Sequence, residues 1–268
     1  MAILPEYHRA ETLSQALDLL ADPRSRRLPL AGGTHLVPAL ETRQRRDVDG
    51  VVDLAGLDLS FIERDGHYLQ VGAMTTLTDL VQHPVCASFA GGILPRTARF
   101  EGPQNLCNAA TVGGLIALAE PDSELFAALL ALDAAIVSLT RDEVETVQSF
   151  EDYISGQSQP TCRADLITEM RLSLVQFESG HARIARTPMD RCIVAAIAIE
   201  FPNGGSSQAP SISPGAVRIG LCGVGTRPLL SGSELNPPDD FKGSAEYRLT
   251  MSEIVRKRAL ACMSGDQL

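Results

Sequence analysis

Two glycine pairs, each placed after an apolar run and before further apolar residues, constrain this chain more than any other feature. The first lies in "LPLAGGTHLVPAL", residues 28–40, and the second in "NAATVGGLIALAEPDSEL", residues 108–125. Glycine has no Cβ, so the backbone N–H groups of such turns can converge on an anion. One such turn alone is typical of a tight corner in a core. Two of them, both in a strand–turn–helix context, favour a phosphate-binding site.

Composition limits the classes of protein and ligand. Hydrophobic residues make up 44% and charged residues 21% of the chain, as in globular proteins. The net charge of −10 argues against nucleic acid, because binding to its phosphates requires a clustered basic surface. No apolar run approaches the roughly 20 residues that span a bilayer, and no secretion signal is evident. We therefore expect a cytoplasmic protein without a transmembrane segment or a nucleic-acid partner.

Residues that carry catalytic or metal chemistry are sparse. The six cysteines are scattered without a CxxC or Cys/His spacing, so we expect reduced, mostly buried thiols and no metal site. No G-x-S-x-G elbow is present. His35, beside the first glycine turn, is either a polar residue at a helix start or a ligand contact. Asp122 and Glu124 are two residues apart, so a helix directs them to different sides, and they are a poor pair for acid/base catalysis.

Periodicity divides the chain into three parts and predicts the α+β class. Residues 1–57 have the pattern of a β-α-β unit, with Thr12 as a helix cap. Residues 58–175 contain a hairpin turning at Asp65-Gly66, a helix capped by Thr75 or Thr76, and an apolar helix from Ser123 to Leu132. Residues 176–268 predict a small antiparallel sheet packed on a C-terminal helix.

A third glycine cluster, "GLCGVG" at residues 220–225, invites a dinucleotide-binding interpretation. Its spacing is G-x-x-G-x-G rather than G-x-G-x-x-G, and no convincing helix or acidic residue follows at the distance that a Rossmann unit requires. We predict a strand with a bulge at this position.

Eight segments occur in an order and spacing that resemble the FAD-binding (medium) subunit of molybdenum hydroxylases of the carbon monoxide dehydrogenase and xanthine dehydrogenase type. They include "LPLAGGTHLVPAL", "NAATVGG", "EPDSELFAALLALDA" and "VRIGLCGVG", and together they cover nearly the whole chain. The resemblance implies an FAD-binding domain of the p-cresol methylhydroxylase/vanillyl-alcohol oxidase type. Its two α/β subdomains are residues 1–57 and 58–175, and a C-terminal domain of residues 176–268 follows.

The same resemblance implies which residues bind FAD, with the pyrophosphate between the two turns. The first turn consists of Ala31, Gly32, Gly33, Thr34 and His35. The second consists of Ala110, Thr111, Val112, Gly113 and Gly114. The remaining implied contacts are Glu124, the aliphatic Leu166 and Ile167 beside the isoalloxazine, and the basic Arg183 near the ring.

The resemblance also implies a hetero-oligomeric electron-transfer complex. A large molybdopterin-binding subunit hydroxylates the substrate, and a small subunit with two [2Fe-2S] clusters passes electrons to the FAD of this chain. An external acceptor then receives them. No residue of this chain needs to act as a nucleophile, because the protein supplies binding, orientation and electrostatic tuning.

The second turn departs from the family pattern. Leu115 and Leu118 stand where asparagines are usual, and Cys107 stands where an arginine is common. Loss of one hydrogen bond to a charged group costs about 1.5–3 kcal/mol, so several losses weaken FAD binding by about tenfold to a thousandfold. The alternative is therefore a structural or assembly subunit that has lost or weakened FAD binding. A short segment between Leu230 and Glu246 further suggests that a C-terminal helix is missing.

Overall fold

Three β-sheets follow one another along the chain, with helices packed between them. The computed structural model describes residues 6–156, 165–202, 213 and 215–264. Each of the three predicted parts holds one of these sheets, while the predicted boundaries themselves stay predictions.

The first sheet is parallel and three-stranded, with the order β1-β3-β2. Its elements are β1 (Glu6–Arg9), α1 (Leu13–Ala21), β2 (Arg27–Leu30), α2 (Leu36–Glu41) and β3 (Gly50–Asp53). Thr12 caps α1 by accepting a hydrogen bond from Gln15 N–H, as predicted. Leu17 and Leu20 of α1 pack in a core cluster with Val52 of β3. The predicted β-α-β unit is confirmed, and the first glycine turn links β2 to α2.

The second sheet is antiparallel and five-stranded, with the order β4-β5-β8-β6-β7. Its strands are β4 (Ile62–Asp65), β5 (Tyr68–Gly72), β6 (Ala135–Leu139), β7 (Glu145–Ser149) and β8 (Leu166–Ser173). Asp65 pairs with Tyr68, so the hairpin loop is Gly66-His67, one residue beyond the predicted turn. Gly66 has a φ of +57°, which glycine adopts without strain.

Short helices connect the strands of the second sheet. They are α3 (Leu77–Gln82), α4 (Pro84–Ser88), a 3₁₀ turn (Phe89–Gly92), α5 (Ile93–Ala98), α6 (Gln104–Cys107), α7 (Val112–Leu118), α8 (Glu124–Ala131) and α9 (Phe150–Gly156). Thr76 forms a capping box with Asp79, and Ser123 caps α8, which confirms both predicted starts. Gly113 and Gly114 lie inside the first turn of α7, so the second glycine segment is the start of a helix.

The third sheet lies between two helices. Its strands are β9 (Glu178–Ile184), β10 (Val194–Glu200), β11 (Val217–Cys222) and β12 (Leu229–Leu230), in the order β12-β11-β10-β9, and α10 (Ala245–Ser264) follows. Alternate residues of β10 belong to two different clusters: Ile197 packs in the cluster that contains α8, and Ala196 packs with Val255 of α10. Because β10 is covered on both faces, its residues are apolar almost throughout.

Glycine allows this sheet to approach both helices. A Cβ on Gly220 would lie 2.0 Å from the carbonyl oxygen of Ala127 in α8, and one on Gly180 would lie 1.9 Å from that of Ala259 in α10. Side chains at these positions would force the layers apart. The predicted antiparallel sheet packed on a C-terminal helix is confirmed.

Three smaller predictions have mixed outcomes. In the "GLCGVG" segment, Gly220–Cys222 end strand β11 as predicted, whereas residues 223–225 lie beyond the strand; the register with β10 is continuous to Cys222, so the predicted bulge is wrong. Between Leu230 and Ser244 the described chain forms no helix. Most of the described cysteines are buried free thiols, Cys262 is exposed, and Cys162 lies outside the described residues. None of the helices described here is long and apolar enough to cross a membrane.

A buried arginine fastens α10 to the sheet. Arg248 is only 2% exposed. Its Nη1 donates to the carbonyl oxygens of Ile193 at 2.6 Å and Gly223 at 3.1 Å, and its Nη2 donates to Asp240 at 2.7 Å. These bonds fix the loops at one end of β10 and β11 against α10.

We predict that Arg248→Met lowers the free energy of unfolding by about 3 kcal/mol, because buried acceptors lose a charged donor. Urea denaturation measures the change. The matched control is Arg256→Met on the same helix, whose partly exposed side chain pairs with Glu253. The control is expected to cost at most about 0.5 kcal/mol. Equal small effects in both variants would contradict this role of Arg248.

Candidate functional site

The two glycine segments are in direct contact. A Cβ on Gly32 would lie 1.7 Å from the carbonyl oxygen of Ala109 and 3.2 Å from the Cα of Ala110. Only glycine permits this approach of two backbones. The contact lies beyond the carboxyl end of β2, the edge at which open α/β sheets bind ligands. The structure thus brings together the two segments that the sequence marks.

The first glycine turn has unused backbone donors. The carbonyl oxygens of Gly33 and His35 accept hydrogen bonds from Val37 and Ala39 of α2. Within the part of the chain that the structure describes, the N–H groups of Gly32, Gly33 and Thr34 donate no hydrogen bond. Gly33 has a φ of +69°, which places this turn in a conformation that favours glycine. The turn can therefore donate several hydrogen bonds to an anionic ligand.

The second segment does not mirror the first. The N–H group of Val112 donates to Thr75 O at 3.0 Å, that of Gly113 to Ala73 O at 2.8 Å, and that of Gly114 to the Thr111 hydroxyl at 3.2 Å. A Cβ on Gly113 would also lie 2.8 Å from the Cβ of Ala73. Gly113 thus lets α7 pack closely on the β5–α3 connection. Contact of Ala110, Thr111, Val112, Gly113 and Gly114 with FAD stays a prediction.

The two leucines in α7 have different environments. Leu115 is partly buried and packs against the main core. Leu118 is 40% exposed, although it is a large apolar residue. Leu118 is therefore the position where a polar side chain can be introduced without disturbing the core.

Glu124 and Arg183, which the resemblance implies separately, form one buried ion pair. Glu124 is only 1% exposed. Its Oε1 accepts a hydrogen bond from Arg183 Nε at 2.8 Å, and its Oε2 lies 2.6 Å from His181 Nε2. The Arg183 guanidinium carbon is 3.8 Å from the centroid of the Phe100 ring, a cation–π geometry. Both oxygens of this carboxylate are thus occupied by groups from β9.

A second cluster of charges surrounds Arg191, just before β10. Arg191 binds Glu101 at 2.6 Å, Asp122 at 3.0 Å and also Glu120, while Lys242 binds Asp122. Burial by itself lowers the pKa of Arg191, but the three surrounding carboxylates outweigh burial and raise the pKa above its ordinary value. Burial disfavours the charged form of Glu101 as well and raises its pKa, although the positive charge of Arg191 acts in the opposite direction. The cluster joins the acidic segment after α7 to the third sheet.

His35 links the first glycine turn to the charge cluster around Arg191. It occupies the N-cap position of α2, at the predicted helix start, but its side chain makes no cap hydrogen bond, and its Nδ1 is 3.8 Å from Glu120 Oε1. Whether His35 also contacts a ligand stays a prediction.

The two aliphatic candidates lie at the start of β8. Leu166 is buried in the cluster that contains Leu54 and Leu57, and Ile167 is partly buried against the main core. The next residue, Thr168, accepts a hydrogen bond from Ala73 N–H, and Ala73 in turn accepts one from Gly113. Strand β8 is therefore connected to the start of α7, while contact of Leu166 and Ile167 with a flavin stays a prediction.

Sequence reasoning missed His181, Glu101, Arg191 and Lys242. Lys242 and Asp122 are 120 positions apart, and Arg191 and Glu101 are 90 apart. No local spacing can reveal such pairs. The one available signal was the acidic "AEPDSE" segment, because buried carboxylates require cationic partners from elsewhere in the chain.

Residues 3–172 match the family model described as the FAD binding domain in molybdopterin dehydrogenase. This chain belongs to that family. The resemblance, the oxidoreductase class and the FAD cofactor expected from the sequence are thereby confirmed.

Relatives over nearly the full length carry related descriptions. The chain is 28% identical to the carbon monoxide dehydrogenase medium chain of Afipia carboxidovorans, with 95% of each chain covered. It is 24% identical to the glyceraldehyde dehydrogenase medium chain of Sulfolobus acidocaldarius, with 94% of this chain and 96% of the relative covered. A solved carbon monoxide dehydrogenase from Hydrogenophaga pseudoflava has a TM-score of 0.84 at 21% identity over 99% of each chain. This structure confirms the fold class.

The first turn fits the pyrophosphate of FAD. A pyrophosphate accepts several hydrogen bonds and carries negative charge, which matches the unused N–H groups of Gly32, Gly33 and Thr34. Peptide dipoles thus supply the positive potential that no lysine or arginine supplies in residues 31–35.

We predict that Gly32→Ala weakens FAD binding at least about tenfold, because its Cβ would overlap Ala109 O and push the two segments apart. Flavin fluorescence titration measures the affinity. Gly102→Ala is the control, since its Cβ would have only ordinary contacts, the nearest at 3.6 Å from Leu106. Unchanged affinity in Gly32→Ala would mean that contact between the segments does not form the site.

Proposed function

We propose that this chain is the FAD-binding electron-transfer subunit of a molybdenum-containing hydroxylase or dehydrogenase complex. The observation that carries the proposal is the first turn, whose N–H groups are free and whose Gly32 lies against the second segment. In this proposal Gly32, Gly33 and Thr34 hold the pyrophosphate. Bound FAD supplies the reversible redox chemistry of its isoalloxazine ring.

The side chains around the site provide orientation and charge rather than covalent chemistry. A cation near the flavin favours a reduced, anionic ring, and Arg183 is the candidate for that charge. Its bonds to Glu124 and to Pro188 O hold the guanidinium in one orientation. Glu124 also balances part of its charge, so the pair limits how strongly Arg183 can bias the ring.

We further propose a large molybdopterin-binding subunit and a small [2Fe-2S] subunit as partners in a hetero-oligomer. The support is that full-length relatives are described as the medium chains of dehydrogenases. In this arrangement electrons pass from the clusters of the small subunit to FAD and then to an external acceptor. The expected cytoplasmic location stays a prediction.

A second candidate is a structural or assembly subunit of the same kind of complex, without bound flavin. The exposed Leu118 favours it, because an apolar side chain replaces a polar one near the expected cofactor. This candidate predicts a stable complex with partner subunits and no uptake of FAD at any concentration.

We predict that the purified chain takes up added FAD and that Leu118→Asn tightens binding about tenfold, through one added hydrogen bond to a charged group. Flavin fluorescence quenching measures both affinities. The control is Val144→Asn, an exposed apolar position in the β6–β7 connection. Binding by neither the natural chain nor Leu118→Asn would support the structural subunit and contradict the FAD-binding role.

A further inference from the structure

Arg191 uses its whole guanidinium group to bind the FAD-binding part of the chain. Its Nε donates to the backbone oxygen of Glu101 at 3.1 Å, its Nη2 to the carboxylate of the same residue at 2.6 Å, and its Nη1 to Asp122 at 3.0 Å and to Glu120. Arginine suits this position because its fork of N–H groups can serve several carboxylates at once. A lysine has a single ammonium group and cannot reproduce the pattern.

The three carboxylates that Arg191 binds have different surroundings. Glu101 is only 3% exposed and also accepts hydrogen bonds from the Ser123 hydroxyl and from Leu125 N–H. Asp122 has Lys242 as a second cation. Glu120 is 35% exposed, and among the described residues its other ionisable contact within 4 Å is the imidazole of His35, 3.8 Å away. Glu120 therefore depends on Arg191 for its charge compensation.

Glu120 also contacts the first turn at its last residue. Its Oε1 lies 3.8 Å from Nδ1 of His35, in the turn whose Gly32, Gly33 and Thr34 N–H groups are free. A carboxylate here repels a dianionic pyrophosphate unless a cation compensates it and fixes its direction. Arg191 does both, because it draws Glu120 toward the third sheet.

We propose that Arg191 is a positioning residue for the cofactor site, which neutralises Glu120 and directs it toward the third sheet so that the first turn accepts a pyrophosphate. The proposal rests on the proposed function, since it assumes that FAD binds at this turn. It assigns to the connection between β9 and β10 an electrostatic role in cofactor affinity.

The test compares FAD affinity in four variants at low and high salt, with thermal unfolding measured in parallel. Arg191→Met is expected to weaken binding at least about tenfold at low salt and less at high salt, because salt screens the uncovered carboxylate. Adding Glu120→Gln to Arg191→Met is expected to restore most of the lost affinity without restoring the unfolding temperature. Arg186→Met, an exposed cation in the same loop, is expected to bind FAD within threefold of the natural chain.

Glu120→Gln alone keeps the test decisive if Arg191→Met does not fold. Its side chain is partly exposed, and the change leaves Arg191 with its bonds to Glu101 and Asp122. Binding about threefold or more tighter than that of the natural chain is expected, because the cluster loses one of its three negative charges and keeps both cations. Unchanged affinity in this variant would overturn the proposal.

Two other results are also decisive. If Arg191→Met loses affinity and adding Glu120→Gln fails to restore it, the role of Arg191 is only structural. That result would overturn this proposal, while the proposed function of the chain as an FAD-binding subunit would stand. A natural chain that takes up no FAD would overturn the proposed function, and this inference with it.

Discussion

The close approach of Gly32 to the backbone at Ala109 and Ala110 is the constraint on which the rest of the site depends. It joins a loop of the parallel first sheet to the segment that starts α7, and no side chain can occupy the space between them. The first turn, whose Gly32, Gly33 and Thr34 N–H groups are free, also contacts the acidic segment after α7 through His35 and Glu120. The negative charge of those acidic residues is compensated by Arg191 and Lys242, which lie in the C-terminal part of the chain.

Compensation comes from cations distant in sequence. Arg183 pairs with Glu124, and Arg191 and Lys242 pair with the acidic segment, so the C-terminal part of the chain is bound to the FAD-binding part through buried and partly buried charges. Burying charges carries a desolvation cost that offsets much of their attraction. Their main contribution is therefore a fixed geometry: one relative placement of β9, α8 and the segment after α7 satisfies all of them.

Local features of the fold were predictable from the sequence, because they depend on neighbouring residues. Thr12, Thr76 and Ser123 cap helices as their side chains predict, and the apolar β10 is a strand covered on both faces. Features that depend on distant contacts were not predictable. Nothing near Gly113 indicates that its N–H group donates to Ala73, and nothing near Arg191 indicates three carboxylate partners. The FAD assignment itself came from the ordered resemblance of eight segments, since a glycine pair alone is compatible with a simple corner.

Backbone amide NMR during titration with FAD, and separately with inorganic pyrophosphate, tests the central claim most directly. The account predicts that both ligands shift the N–H resonances of Gly32, Gly33 and Thr34, whose donors are free, and that the hydrogen-bonded N–H groups of Val112 and Gly113 shift less with pyrophosphate. FAD binding that leaves the resonances of Gly32 to Thr34 unchanged would contradict the account, because the cofactor would then be held elsewhere.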